Sequence, residues 1–132
     1  MAGKIIADQI EHSTAGSIAT NYVVNGSAKA WVNFNGDGTP SIRNSLNTSS
    51  LTDVALARYE TNFASSFNAA DYTQVGAVGN AGFGIGTHMA TRGYTTTVST
   101  SLAGIATYYN QSATTNVQEN PYTAVLYHGD LA

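Results

Sequence analysis

One stretch of the sequence has oxygen-bearing side chains spaced as in a metal-binding loop. Asn33, Asn35 and Asp37 alternate ahead of Gly38, as ligands do at the start of a calcium loop. The acidic ligand that would close such a loop falls on Asn44, and no helical pattern flanks the stretch. Asn-Gly and Asp-Gly pairs are also the strongest signals of a tight turn between strands. We therefore predict a hairpin turn here and no metal site.

Catalytic chemistry finds little support elsewhere in the chain. His12, His88 and His128 are scattered, the carboxylates are dispersed, and there is neither a cysteine nor a Gly-x-Ser-x-Gly elbow. The glycine-rich residues 82–86 lack the spacing and the strand-to-helix setting of a dinucleotide site, which favours a surface loop. The sequence predicts a protein that is not an enzyme and that has no cofactor.

Tyrosines are the side chains best suited to binding. An aromatic ring can stack on a sugar face or anchor a protein contact while its hydroxyl forms a hydrogen bond. We take Tyr108, Tyr109 and Tyr122 as candidate ligand-binding residues. The alternative is that one ring of each pair belongs to the core and the other lies on a sheet surface.

The clearest element is a β-hairpin around the turn described above. Ala30, Val32 and Phe34 alternate with polar or larger residues, which places them on one face of a strand. A second strand resumes at Ile42, beyond Pro40.

Further strands follow from the same alternation. Residues 58–63 place Tyr59, Thr61 and Phe63 on one face of a strand. Residues 50–53, in contrast, resemble a helix capping box. We therefore expect two strands joined by a loop or a single helical turn at residues 53–57. Other candidate strands are residues 72–78, 94–100, 105–109 and 122–127. About eight short strands predict an all-β protein, an antiparallel sandwich or jelly-roll-like knob.

Composition excludes several classes of protein. The formal net charge is −3 with 10% charged residues, which argues against nucleic-acid binding. The longest apolar runs are far too short to cross a membrane. Asp8 interrupts any apolar region of a signal peptide, so we expect synthesis in the cytoplasm.

The N-terminal segment is set apart from the hairpin by a polar link at residues 13–17. Residues 4–11 fit a strand or a short helix, and the segment is either an attachment arm or a terminal strand of the domain's own sheet. We divide the chain into residues 1–22, the arm or first strand, and residues 23–132, the knob. The candidate oligomer or attachment residues are Ile6, Ile10, Ile18 and Tyr22.

Several stretches resemble a domain found in tail-fibre and small virion proteins of marine bacteriophages. The resemblance lies in Lys-Ala-Trp-Val-Asn-Phe-Asn-Gly at 29–36, Ile-Arg at 42–43, and Leu-Asn-Thr-Ser-Ser-Leu-Thr-Asp at 46–53. It extends to Ile-Ala-Asp at 6–8, His-Ser-Thr-Ala-Gly-Ser at 12–17 and Gly-Asp-Leu-Ala at 129–132. It covers both ends and most of the first half, and it fades between about residues 80 and 120.

The resemblance implies a bacteriophage virion structural protein that is made in the host cytoplasm. Such a protein is a small oligomeric knob of the head-fibre, decoration or tail-fibre type, most often a homotrimer. Its expected partners are other virion proteins of capsid or tail and a host surface glycan. The alternative is a carbohydrate-binding module or a polysaccharide-degrading tail component.

Overall fold

The computed structural model describes residues 6–79, 87–91, 98–111 and 114–132. These residues are nearly all β, with one short helix. The elements in chain order are β1 Gln9–His12, β2 Gly16–Ala19, α1 Thr20–Gly26, β3 Ala30–Asn35, β4 Ser41–Leu46, β5 Thr48–Ala55, β6 Arg58–Phe63, β7 Thr73–Gly79, β8 Thr87–Thr91, β9 Leu102–Gln111, β10 Thr114–Val117 and β11 Tyr122–His128.

Nine strands form two antiparallel sheets that pack on one core, which confirms the predicted all-β sandwich. The front sheet has the order β4-β3-β11-β7. The back sheet has the order β10-β9-β6-β5, with β8 also paired to β9. β8 pairs with residues 105–109 of β9, and these overlap the residues of β9 that pair with β6 and with β10. A strand has only one partner along each edge at a given residue. β8 therefore lies along one edge of β9, and β6 and β10 lie along the other.

The predicted hairpin is confirmed as β3 and β4. Ala30, Val32 and Phe34 are buried in the core, and the intervening side chains face outward. The turn uses its own side chains: the Asn35 Nδ2 donates to the Asp37 carbonyl at 3.2 Å, and the Asp37 N–H donates to the Asn35 Oδ1 at 3.3 Å. Such hydrogen bonds between an asparagine side chain and the backbone two residues on are typical of a turn.

The capping-box signal at residues 50–53 does not start a helix. The strand β5 runs through it to Ala55, and the chain then reverses in a tight turn where Ala57 has φ 57°. Pairing with β6 supplies each strand with hydrogen-bond partners that an isolated helical turn would lack. As predicted, Tyr59, Thr61 and Phe63 share the buried face of β6.

Other predicted strands agree with β7, β9 and β11. The predicted strand at 94–100 and the glycine-rich residues 82–86 lie mostly or wholly outside the described residues. Within the described part of the chain, no helix has the length and apolar character needed to span a membrane.

Aromatic rings join the two sheets. Phe34 of the front sheet meets Tyr59 of the back sheet edge to face, with ring centroids 5.0 Å apart. Phe63 of the back sheet makes the same kind of contact with Tyr127 and Tyr72, at 5.0 and 5.6 Å. Such pairs add roughly 0.5–1.5 kcal/mol each beyond their buried area.

The buried hydroxyl groups of two of these tyrosines also form hydrogen bonds. Tyr59 donates to the Gly36 carbonyl at 2.5 Å, which ties the β3–β4 turn to the back sheet. Tyr127 donates to the Thr61 hydroxyl at 2.8 Å, across the core. Each bond gives a buried hydroxyl a hydrogen-bond partner, as buried polar groups require.

The residues from 6 to 26 belong to neither sheet of the sandwich, and we refer to them as the arm. In the arm, β1 and β2 form a separate two-stranded hairpin that continues into α1. Of residues 4–11, where a strand or short helix was predicted, residues 9–11 lie in β1, residues 6–8 are irregular, and residues 4 and 5 lie outside the described residues. The strand β1 pairs within the arm and not with either sheet. The helix α1 was not predicted, and it continues beyond the predicted boundary at residue 22 as far as Gly26.

Substituting Gly129 should destabilise the sandwich. A Cβ at this position would lie 2.7 Å from the Tyr72 Cβ and 3.1 Å from the Phe67 Cδ1, both in the core. We expect Gly129→Ala to lower the free energy of unfolding in urea by about 1–3 kcal/mol. The control is Gly26→Ala, where a Cβ meets nothing within 4 Å. Equal midpoints for the two variants would contradict this packing.

Alkaline pH should unfold the protein through its buried tyrosines. Burial raises the pKa of Tyr59 above its ordinary value of 10, and the Glu119 and Asp53 carboxylates raise it further. Burial likewise raises the pKa of Tyr127, although its hydrogen bond to Thr61 opposes the shift. Above pH ~10 the unfolded chain loses these protons first, so stability should be flat below that pH and fall above it.

This pH dependence is measured from the free energy of unfolding between pH 8 and 11. Each tyrosine contributes a fall of up to ~1.4 kcal/mol per pH unit above its unfolded pKa. Tyr59→Phe and Tyr127→Phe should each make the decline shallower, because the phenylalanine cannot ionise. An unchanged slope in both variants would show that neither ring is buried as described.

Candidate interaction surfaces

The candidate tyrosines do not form one site. Tyr122 lies on β11 with 55% of its surface exposed, on the outer face of the front sheet. Tyr108 is half-buried on β9 of the back sheet, and the alternation that turns Ile105 inward turns Tyr108 outward. The two rings thus face away from each other across the sandwich. The side chain of Tyr109 lies outside the described residues.

Tyr122 lies beside a charged side chain, that of Arg43. The register of β3 and β4 shifts between Asn33 and Phe34, which leaves Arg43 without a residue opposite it on β3. Its guanidinium carbon lies 4.9 Å from the centre of the Tyr122 ring, within the range of a cation–π contact. The pair forms an exposed aromatic and cationic platform at one end of the front sheet.

A polar cleft lies near the opposite end of β11. Its volume is about 380 Å³, and the lining residues are Asn25, Asp71, Tyr72, Thr73, His128, Gly129 and Asp130. His128 is the last residue of β11, and Asp130 follows it two residues later. Its carboxylates, amide and hydroxyl can hydrogen-bond a small hydroxylated ligand. The described residues contain no cluster of three or more His, Asp or Glu side chains that could hold a metal ion.

The predicted attachment residues are all exposed on the arm. The exposed fractions are 83% for Ile6, 53% for Ile10, 46% for Ile18 and 69% for Tyr22. Ile10 and Ile18 lie directly opposite each other in the β1–β2 register, so their side chains share one face of that hairpin.

The helix of the arm is equally unpacked. No residue of α1 is buried, and Val23 and Val24 are 41% and 57% exposed. Lys29 holds the end of the helix, because its Nζ donates to the Val24 carbonyl and to the Ser27 hydroxyl. An isolated hairpin and a helix this short are marginal in water without a surface to pack on.

The front sheet carries a second exposed apolar surface, which we call the apolar row. Strand register places one outward residue from each of its four strands side by side. The row consists of Leu46, Trp31, Leu126 and Val75. Leu46, Leu126 and Val75 are 49%, 42% and 52% exposed, and Trp31 is half-buried.

Charge is scarce around this row. The strands β3, β4, β7 and β11 contain no aspartate or glutamate, and Arg43 is their one lysine or arginine. The adjacent outward row consists of Asn44, Asn33, Ala124 and Ala77. Sequence reasoning missed this surface, because its residues are distant in the chain and meet only through strand order. The available signal was the set of apolar residues at outward positions of the predicted strands.

Comparison with known proteins identifies no relative, so the function is inferred from these surfaces. No family model, no curated protein and no solved structure matches the chain.

Proposed function

We propose that this chain is a bacteriophage virion structural protein, a small oligomeric knob displayed on the particle surface. It acts as a head-fibre or decoration protein or as a tail-fibre-type knob, and it is not an enzyme. The sandwich is the displayed body, and the arm joins it to other subunits. The assembled form is a homotrimer.

The observation that carries this proposal is the unpacked arm. Six large apolar side chains of the arm are between 41% and 83% exposed, and none belongs to the core of the sandwich. Exposed apolar surface of this extent in one segment is typical of a contact with another protein. A structural protein that functions in an assembly requires such a contact, whereas a monomeric binding module does not.

The sequence adds two further supports. The stretches quoted above resemble short virion proteins of marine bacteriophages, including residues 6–8 and 12–17 of the arm. The low content of charged residues, 10%, suits a protein whose surface is largely covered by neighbouring subunits.

The oligomeric state tests the proposal. By light scattering after size exclusion at micromolar concentration, we expect the full chain to have about three times the monomer mass. The double variant Ile18→Asp, Tyr22→Asp should give monomers, because it places charges on the apolar surface of the arm. The control is Leu56→Asp in the β5–β6 turn, where Leu56 is 62% exposed. A full chain that is monomeric at this concentration would overturn the proposed function.

Glycan binding is a second candidate function, favoured by the platform of Tyr122 and Arg43. An exposed ring can stack on a sugar while the guanidinium donates hydrogen bonds to its hydroxyl groups. The polar cleft near His128 offers a second place for such a ligand. If the cleft had a polysaccharide-degrading activity, the catalytic carboxylates would be the two that line it, Asp71 and Asp130.

A glycan array with the full chain tests this second function. We expect Tyr122→Ala to reduce binding by up to about tenfold, since an aromatic ring contact contributes roughly 0.5–1.5 kcal/mol. The control is Leu56→Ala, because Leu56 is an exposed apolar residue of the β5–β6 turn that belongs neither to the platform nor to the arm. Equal losses in both variants would exclude Tyr122 as a specific site. Release of reducing ends that Asp71→Asn or Asp130→Asn abolishes would indicate the enzyme instead.

A further inference from the structure

We propose that the outer face of the front sheet, centred on the apolar row, is the docking site for the arm of a second copy of this chain. This inference rests on the proposed function, because it names the partner of the arm within the oligomer. The contact joins two surfaces that the single copy leaves exposed.

The two surfaces match in chemistry. The arm offers isoleucine, tyrosine and valine side chains, and the apolar row offers leucine, valine and tryptophan. Burying both removes apolar area from water at roughly 25 cal/mol for each Å². The row also has Trp31 at its centre, and a tryptophan within an apolar surface is typical of the energetic centre of an interface.

The charges of the two surfaces are also complementary. Between residues 6 and 26 the arm has two carboxylates, Asp8 and Glu11, and no lysine or arginine. The four strands of the front sheet have no carboxylate, and they carry Arg43 beside the row. An acidic arm therefore meets a face whose one formal charge is positive, which favours this pairing over contact between two arms or two faces.

The connection between arm and sandwich keeps a copy's arm away from its own face. Only residues 27–29 separate α1 from β3. The Lys29 N–H donates to the Tyr127 carbonyl, and the Lys29 Nζ holds the end of the helix at Val24 and Ser27. These bonds fix the direction in which the arm leaves the sandwich, and in that direction its apolar residues and the apolar row both remain exposed.

Docking between copies has a consequence for symmetry. Each copy gives one arm and accepts one, so the contact is heterologous, with a different surface on each side. Such contacts close into a ring when the rotation between copies allows it. A three-membered ring gives the homotrimer of the proposed function.

Charge substitutions on the apolar row test the inference directly. In the full chain, we expect Val75→Asp and Leu126→Asp each to raise the dissociation constant of the oligomer by roughly tenfold or more, because each buries a charge in the contact. The matched control is Val54→Asp on β5 of the back sheet, where Val54 is 46% exposed against 52% for Val75. Oligomers that persist in both row variants would overturn the docking site and leave the proposed oligomer standing.

A mixing experiment establishes whether the contact is between an arm and a face. One full-length variant carries Ile18→Asp and Tyr22→Asp in the arm, and the other carries Val75→Asp and Leu126→Asp in the row. Each alone should be monomeric, and circular dichroism should report the same β-rich spectrum as the unmodified chain. An equimolar mixture should form heterodimers, because it restores one intact arm and one intact face.

The remaining outcomes of mixing overturn the inference. A mixture that stays monomeric would indicate that the arm packs on its own sandwich or that the oligomer uses another surface. A row variant that oligomerises alone would show that the face is not required. A monomeric unmodified chain would reject the proposed function itself, and is therefore distinguishable from failure of the docking site alone.

Discussion

The fold depends on the contact between aromatic rings that face each other across the two sheets. Tyr59 is central to it, because its ring packs against Phe34 of the front sheet while its hydroxyl bonds to the Gly36 carbonyl in the hairpin turn. One side chain thus fixes the distance between the sheets and the position of the β3–β4 turn. The chain has no cysteine, so the sheets are joined by packing and hydrogen bonds and not by disulfides.

Much of the sandwich could be predicted from local patterns, and the exceptions have physical reasons. Alternation in β3 and β6 identified the buried faces correctly, because one face of each strand meets the core and the other meets solvent. The capping-box signal at residues 50–53 failed because pairing with β6 outweighs a weak local preference for helix. The helix α1 has no apolar stripe buried against the sandwich, so its sequence lacks the helical spacing of apolar residues from which a helix would be predicted.

The surfaces were harder to predict than the core. The exposed residues of the arm were named from sequence, since apolar side chains in a segment separated by a polar link stand out. Tyr108 and Tyr122 were grouped by residue type, and strand order places them on opposite faces of the sandwich. The apolar row required the register of four strands, which depends on contacts between residues far apart in the chain and cannot be read from any one segment.

The position of β11 has a consequence for the order of events during synthesis. This strand lies between β3 and β7, although it is made after both of them. Until it leaves the ribosome, β3 and β7 each present an unpaired backbone edge and an open part of the core to solvent. The front sheet therefore cannot be completed until β11 has been made, and chains whose translation stalls before β11 are the ones most exposed to aggregation.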